Sequence, residues 1–219
     1  MRLEARYFFQ EDDYFESRIN EVFIRPPAIK GGFITSSNFN NPISLNTMTS
    51  FKKRLGYQYN IWGDYNNSLL YYRINPRFRI NNHTFLEYIL AVENEQNQFG
   101  WISEDDSEPI FSRRHRHTFT NKLILNFTFN PKTYIKIIAR HYWSTINNKS
   151  FYTLNDLGHL ESSNYDNNLD INFNTWNLDF NFSWEYRPGS LLCILWQNAL
   201  TNQTNELGEL FLNNINAFF

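Results

Sequence analysis

The stretch "NTWNLDFNFSWEYRPGS", residues 174–190, decides the fold class. Trp176, Leu178, Phe180, Phe182, Trp184 and Tyr186 are all apolar or aromatic, while Asn177, Asp179, Asn181, Ser183, Glu185 and Arg187 between and after them are all polar. Strict alternation of this kind fits a strand, where successive side chains point to opposite faces. Two architectures accept such a strand. The aromatic face packs on a protein core, as in a soluble sandwich or lipocalin-like barrel, or it faces lipid around a polar lumen.

The same pattern recurs up and down the chain. In "LYYRINPRFRI", Leu70, Tyr72, Ile74, Pro76, Phe78 and Ile80 oppose Arg73, Asn75, Arg77 and Arg79. In "HTFTNKLILNFTF", Phe119, Leu123, Leu125, Phe127 and Phe129 oppose Thr118, Thr120, Lys122, Asn126 and Thr128, with Asn121 and Ile124 as exceptions. "KTYIKIIARHYW" sets Ile135, Ile137, Ala139 and Trp143 against Lys136 and Arg140, and "TFLEYILAV" aligns Leu86, Tyr88, Leu90 and Val92. These strands are roughly twice the 5–6 residues usual in soluble sheets, which favours the lipid-facing alternative. So does the placement of Trp176 and Tyr186 at the two ends of one apolar face, where interfacial aromatic girdles sit.

Connection lengths point the same way. Outer-membrane barrels have short turns at one rim and longer loops at the other. After residue 69 the connections alternate: "NN" at 81–82, the long "EQNQFGWISEDDSEP", "NPK" at 130–132, the long "NNKSFYTLNDLGHLESSNYDNN", then "RPGS". Asn-Pro and Pro-Gly supply turn chemistry. Earlier strands are expected near 3–10, 14–25, 28–39, 43–54 and 57–65. With six strands after residue 69 and a seventh at the C-terminal end, the expectation is a single domain over 1–219: an all-β transmembrane antiparallel β-barrel of outer-membrane type, about twelve strands, or part of a longer barrel.

Composition bounds the remaining classes. Hydrophobic residues make up 42% and aromatics 18%, yet the mean hydropathy is -0.55 and no apolar run is long enough to cross a bilayer as a helix. A net charge of -2 and a pI near 6.2 give no basic footprint for nucleic acid. The single Cys193, in "LLCILW", admits no intrachain disulfide and reads as a buried or lipid-side thiol. "MRLEARYFFQEDD" has no apolar core of a signal peptide, so residue 1 is expected to begin a mature fragment or a later part of a longer polypeptide.

"NPRFRINNHTFLEYILAVENEQNQFGW", "FSRRHRHTFTNKLILNFTFNPKTYIKIIARHYW" and "FNFSWEYRPGSLL" together resemble the C-terminal barrel domain of an uncharacterised Bacteroidota family of outer-membrane proteins. The resemblance is strongest over 70–200. It rests on Arg113 and Arg114 leading into the strand of Thr118 and Thr120, the turn at Asn130 and Pro131, and the hairpin at 184–190. In that family the barrel often follows a domain similar to family 9 carbohydrate-binding modules. The resemblance implies an outer-membrane location and an envelope role, and no known reaction. No sugar-binding-like part is expected within these residues, and Asn213 departs from the family pattern by interrupting the apolar face of Phe211, Ile215, Ala217 and Phe219 in an otherwise strand-like end.

No catalytic constellation is evident. His115 and His117 have a spacing that holds metals, but no third ligand follows and Arg113 shares their face, so no metal is expected. Glu104, Asp105, Asp106 and Glu108 lack the glycine-containing spacing of a calcium loop. His141 and His159 stand beside no serine-nucleophile signature, and Asp179 and Glu185 lie about 20 Å apart at strand rise, too far for paired-carboxylate glycosidase chemistry. Asn-x-Ser/Thr triplets such as 126–128 fall within strands and reflect Asn abundance. Arg73, Arg77, Arg79, Lys122, Lys136, Arg140, Asp179 and Glu185 are the candidate lumen residues, tuning solute passage or neutralising one another as a plug, the latter favoured. The sequence thus points to a non-enzymatic outer-membrane protein that anchors or passes solutes at the cell surface, the glycan connection coming from the resemblance alone. The alternatives are a structural subunit of a larger envelope complex and an outer-membrane lipid or glycan hydrolase. Outer-membrane lipid, with other outer-membrane or periplasmic proteins, would be its partners, and no cofactor is expected.

Overall fold

The computed structural model describes residues 1–18, 21–55, 66–106 and 108–207. These form β1 (Arg2–Phe8), β2 (Glu11–Asp13), β3 (Phe23–Arg25), β4 (Ala28–Ser36), β5 (Ile43–Arg54), β6 (Ser68–Arg79), β7 (Thr84–Asp105), β8 (Glu108–Asn130), β9 (Thr133–Leu154), β10 (Leu160–Ser162), β11 (Ile171–Arg187) and β12 (Ser190–Thr204), with no helix among the described residues. One antiparallel sheet runs β1-β4-β5-β6-β7-β8-β9-β11-β12, with β10 paired to β9, and β2 and β3 form a separate small hairpin. Among the described residues β1 and β12 are the edges of this sheet, and they run in the same direction, because each strand between them reverses the last.

The alternation read from 174–190 is the alternation of this sheet. β11 pairs Asn177, Asp179 and Asn181 with Arg140, Ile138 and Lys136 of β9 on one face, and Trp176, Leu178 and Phe180 with His141, Ala139 and Ile137 on the other. Residues directly opposite in a ladder share a face, so this phase propagates from β1 to β12 without a break.

Short connections gather at one end of the sheet: 37–42, 80–83, 131–132 and 188–189. Gly189, at φ +76°, closes the last of these, a conformation glycine adopts without a Cβ penalty. The opposite end differs from the expected long loops. β7, β8 and β9 are 22, 23 and 22 residues long, so most of 94–109 and of 147–154 is strand rather than loop. Register shifts between Glu95 and Gln98, Trp101 and Ser103, and Arg113 and Arg114 absorb the change, with Asn97 at φ 51°. Bulges of this kind bend a ladder and let it continue, which the polar composition of these stretches conceals.

The expected strand at 14–25 is instead a turn followed by the short β3, which pairs back on β2 just ahead of it. The Asp13 carboxylate accepts the N–H groups of Phe15 (2.9 Å) and Glu16 (3.0 Å), a local alternative to the ladder, and Pro26 and Pro27 end β3. The expected strand at 57–65 and the strand-like end carrying Phe211, Asn213, Ile215, Ala217 and Phe219 lie outside the described residues.

The buried aromatic core is small and sits at the long end. Phe23 of β3 packs with Phe99, Phe111, Tyr152 and Leu160, flanked by Trp101 and Leu154. Ring centroids are 4.8 Å apart for Phe23–Phe111 and 5.4 Å for Phe99–Tyr152, within the range of favourable aromatic pairing. Gly158, at φ +78°, fits against β3: its carbonyl accepts the Ile24 N–H at 3.0 Å, and a Cβ there would meet the Val22 carbonyl oxygen at 2.7 Å. The hairpin of β2 and β3 is thereby clasped to the extended β7–β9 end.

Candidate functional site

The two faces of the sheet have opposite chemistry. Among the described residues on the face of Trp176, from Leu3 on β1 through Phe51, Leu70, Leu123 and Phe180 to Trp196 on β12, the paired rows on the short-turn side of the bulges at Asn97 and Arg113 carry Lys53 as the sole lysine or arginine and no carboxylate, and beyond those bulges Arg113 and Glu104 enter the same phase opposite Phe99 and Pro109. Its side chains are open: Leu70 and Trp196 are each 49% exposed. The other face is charged, and part of it is buried, including Ser44, Asn75 and Glu87. A soluble sandwich buries its apolar faces against each other; here no second layer covers this one among the described residues.

All eight sequence candidates fall on the charged face. Arg77 pairs directly with Glu87, Arg73 with Ala91 and Arg79 with Phe85. Lys122 pairs with Arg140, which pairs with Asn177, next in the row to Asp179. Lys136 pairs with Asn181, and Glu185 with Leu191. Ion pairs join some of them: Arg140 to Asp179, and Arg77 to Glu87 at 3.2 Å, with Asn75 donating to Glu87 at 2.9 Å. Arg77 also lies over Phe39 and Phe85 at 5.0 and 5.4 Å from the ring centroids.

Cations outnumber carboxylates on this face. On the short-turn side of the bulge at Asn97, Arg2, Arg6, Lys30, Lys52, Arg54, Arg73, Arg77, Arg79, Arg116, Lys122, Lys136 and Arg140 share it with Glu4, Glu87, Glu93, Glu95, Asp179 and Glu185. The chain carries a net charge of -2, so the compensating acids lie elsewhere, many in the long-end segments around 11–21, 104–108 and 156–170. Net charge conceals this segregation; strand phase reveals it.

Near the long end, Arg25, Lys52, Arg54, Asn67, Leu69, Glu95, Gln98, Phe99 and Arg116 line a cavity of about 190 Å³. Lys52, Leu69, Glu95 and Arg116 stand in one cross-strand row on the charged face, and Arg25 reaches it from β3. Arg25 is held by Asp13 at 2.7 Å and by Glu16, and Arg116 by Glu93 at 2.6 Å and Glu95 at 3.0 Å. Arg54 donates to the Pro26 carbonyl at 3.0 Å, and the Lys52 ammonium lies 4.7 Å from the Phe8 ring centroid. Asp13 lies outside the sheet. Burial pushes its carboxyl up, but the Arg25 bond and the Phe15 and Glu16 N–H groups outweigh that and hold it below the usual carboxylate value. The sequence reading missed this cavity because β5 alternates weakly at Thr47, Met48 and Thr49, and because Arg25 comes from a hairpin read as one strand.

A second polar feature interrupts the apolar face. Tyr88 Oη donates to Asn121 Oδ1 at 2.7 Å, Asn121 Nδ2 faces His141 Nδ1 at 3.3 Å, and His141 Nε2 faces Asn174 Oδ1 at 2.8 Å. The exception noted at Asn121 is thus one link of a cross-strand chain. Both His141 ring nitrogens face amide side chains rather than a hydroxyl nucleophile in these contacts. His115 Nδ1 accepts the Asn97 N–H at 3.1 Å, and no group of three or more metal-ligating side chains converges among the described residues. Cys193 differs from the expected buried or lipid-side thiol: it is exposed and shares the charged face, opposite Ser183. "LLCILW" is apolar on both phases, so its pattern could not fix which face the sulfur takes.

The geometry defines an all-β, antiparallel protein whose sheet turns a charged face one way and an open apolar face the other. The family profile described as "Domain of unknown function (DUF5916)" matches residues 2–219, and the chain belongs to that family. No curated protein and no solved structure matches it.

Proposed function

We propose that this chain is wall of a transmembrane β-barrel in the outer membrane of a Gram-negative bacterium, non-enzymatic, acting as an anchor or a passage for solutes. One observation carries the reading: the face of Trp176 is predominantly apolar across the main strands and open at residues such as Leu3, Phe51, Leu70, Leu123 and Trp196, while most of the charges gather on the other face. Lipid contact makes such a face favourable, and burying the charged face around a polar interior meets the requirement that charges stay out of hydrocarbon.

Dimensions support it. From Trp176 to Tyr186 β11 advances ten residues, about 34 Å at ~3.4 Å each, or about 26 Å along the membrane normal at a tilt of ~40°, close to the ~25 Å apolar band of such barrels. The Bacteroidota source and the glycan connection rest on the resemblance described above.

The edges that β1 and β12 form among the described residues favour one further reading, a wall that is completed by strands from elsewhere, as in a subunit of a larger envelope assembly. Since β1 and β12 run in the same direction, antiparallel closure takes an odd number of additional strands. The test is migration of the outer-membrane form on a gel, boiled and unboiled. A heat-dependent shift with a denatured mass of 26.4 kDa supports a self-contained barrel, and a heavier denatured species with a shift supports the completed-wall reading. Recovery as a soluble, unshifted protein overturns both.

A further inference from the structure

We propose that the cavity bounded by Arg25, Lys52, Arg54 and Arg116 binds a small oxyanion of the phosphate class, either free or as the terminal group of a larger solute. The inference goes beyond the barrel reading and does not depend on it, since the site is built on the charged face whatever covers the apolar one.

Among the described residues four cations line a space of about 190 Å³, and Glu95, the one carboxylate in that lining, is engaged by Arg116 at 3.0 Å. A water occupies roughly 30 Å³ in the liquid, so the cavity takes an ion of several heavy atoms and excludes a folded partner. Its cations are held in place before any ligand arrives: Arg25 by Asp13 and Glu16, Arg116 by Glu93 and Glu95, and Arg54 by the Pro26 carbonyl. Fixed guanidinium groups present donors in the fork geometry that suits phosphate, and a lysine adds a point charge.

Among the described residues, the Lys52 ammonium lies against the Phe8 ring, 4.7 Å from its centroid, a contact that an incoming anion can replace or share. The surrounding charged face extends the same preference, because its excess of cations raises the local concentration of anions, an effect that falls with ionic strength.

The test is calorimetric titration of the full-length protein in neutral detergent with inorganic phosphate at low chloride, with glucose 1-phosphate and glucose in parallel. Saturable binding of phosphate, weakened at least tenfold in Lys52→Gln and kept within about threefold in Lys52→Arg and in Lys132→Gln at the short-turn end, supports the site. Binding of glucose 1-phosphate as tight as phosphate, with none of glucose, assigns it to a phosphorylated solute; binding of phosphate alone assigns it to the free ion. No saturable binding to the unaltered protein, or equal affinity in Lys52→Gln, overturns it. The gel shift is read on every sample, so loss of binding with an intact shift separates this inference from the barrel reading.

Discussion

His141 Nε2 lies 2.8 Å from Asn174 Oδ1, and the two side chains, on adjacent strands of the apolar face, are only 2% and 1% exposed. The contact assigns the proton: Asn174 Oδ1 is an acceptor, so Nε2 carries the hydrogen and Nδ1 is free to accept from Asn121 Nδ2. Tyr88, Asn121, His141 and Asn174 therefore form a chain in which each bond has one donor and one acceptor. A buried polar chain is stabilising only when complete.

Replacing Asn174 by Leu removes the acceptor that faces His141 Nε2 at 2.8 Å, and removing one partner of a buried hydrogen bond costs about 1–3 kcal/mol. The double replacement His141→Leu with Asn174→Leu removes both partners and is expected to be less destabilising than Asn174→Leu alone. Equilibrium urea unfolding in detergent reads the difference. A double variant weaker than either single one would show that the pair stabilises in its own right rather than by mutual satisfaction.

Gly158 predicts a local effect. Alanine there carries an unfavourable φ of +78° and a Cβ 2.7 Å from the Val22 carbonyl oxygen, so Gly158→Ala is expected to cost about 1–3 kcal/mol of local stability. The expected outcome is faster proteolytic cleavage near residues 9–27 with the gel shift of the main sheet retained. Unchanged cleavage would mean that the clasp between β3 and the β9–β10 connection does not hold the hairpin.

Much of this was legible in the sequence, and the reason is periodicity. β6 and β11 alternate cleanly enough that strand, phase and face follow from residue type, and the eight charged candidates share a face because each was read in phase with its own strand. What was illegible lies where alternation stops carrying information. At Asn97 and near Arg113 a bulge resets the phase, so polar strands look like loops. At Asp13 a side chain replaces the ladder, so an apparent strand is a turn. The Arg25 cavity joins segments distant in sequence, and nothing in either segment names the other.

His115 gives a pH prediction at the long end. Burial first, then the nearby charges of Lys149 and Arg113 and the adjacent His117, push its pKa below the ordinary value near 6.5. Its Nδ1 accepts the Asn97 N–H, a bond that needs the neutral ring. The folded state thus binds fewer protons than the unfolded one between the two pKa values, so stability is fully present above about 6.5 and is lost as pH falls through the lower folded value. Amide exchange at Asn97 is expected to accelerate over that window, and His115→Gln is expected to flatten the pH dependence. Identical pH profiles for the two proteins would remove His115 as the cause.

Phe180 and Asn181 test the assignment of the faces most directly, because they are adjacent in the chain and on opposite sides of the sheet. Phe180 pairs with Ile137 and Trp196, Asn181 with Lys136 and Leu195. If lipid covers the apolar face, Phe180→Lys places an ammonium in hydrocarbon near the middle of the Trp176–Tyr186 belt, at a cost of about 2–4 kcal/mol. Asn181→Lys adds a like charge beside Lys136 on the polar side, where water is available, and is expected to cost less than about 1 kcal/mol. Folding efficiency into bilayers, read from the heat-dependent gel shift at increasing urea, should fall sharply for the first and little for the second. Equal losses, or the larger loss at Asn181, would mean that the apolar face is covered by protein and the charged face is the one that needs to stay dry.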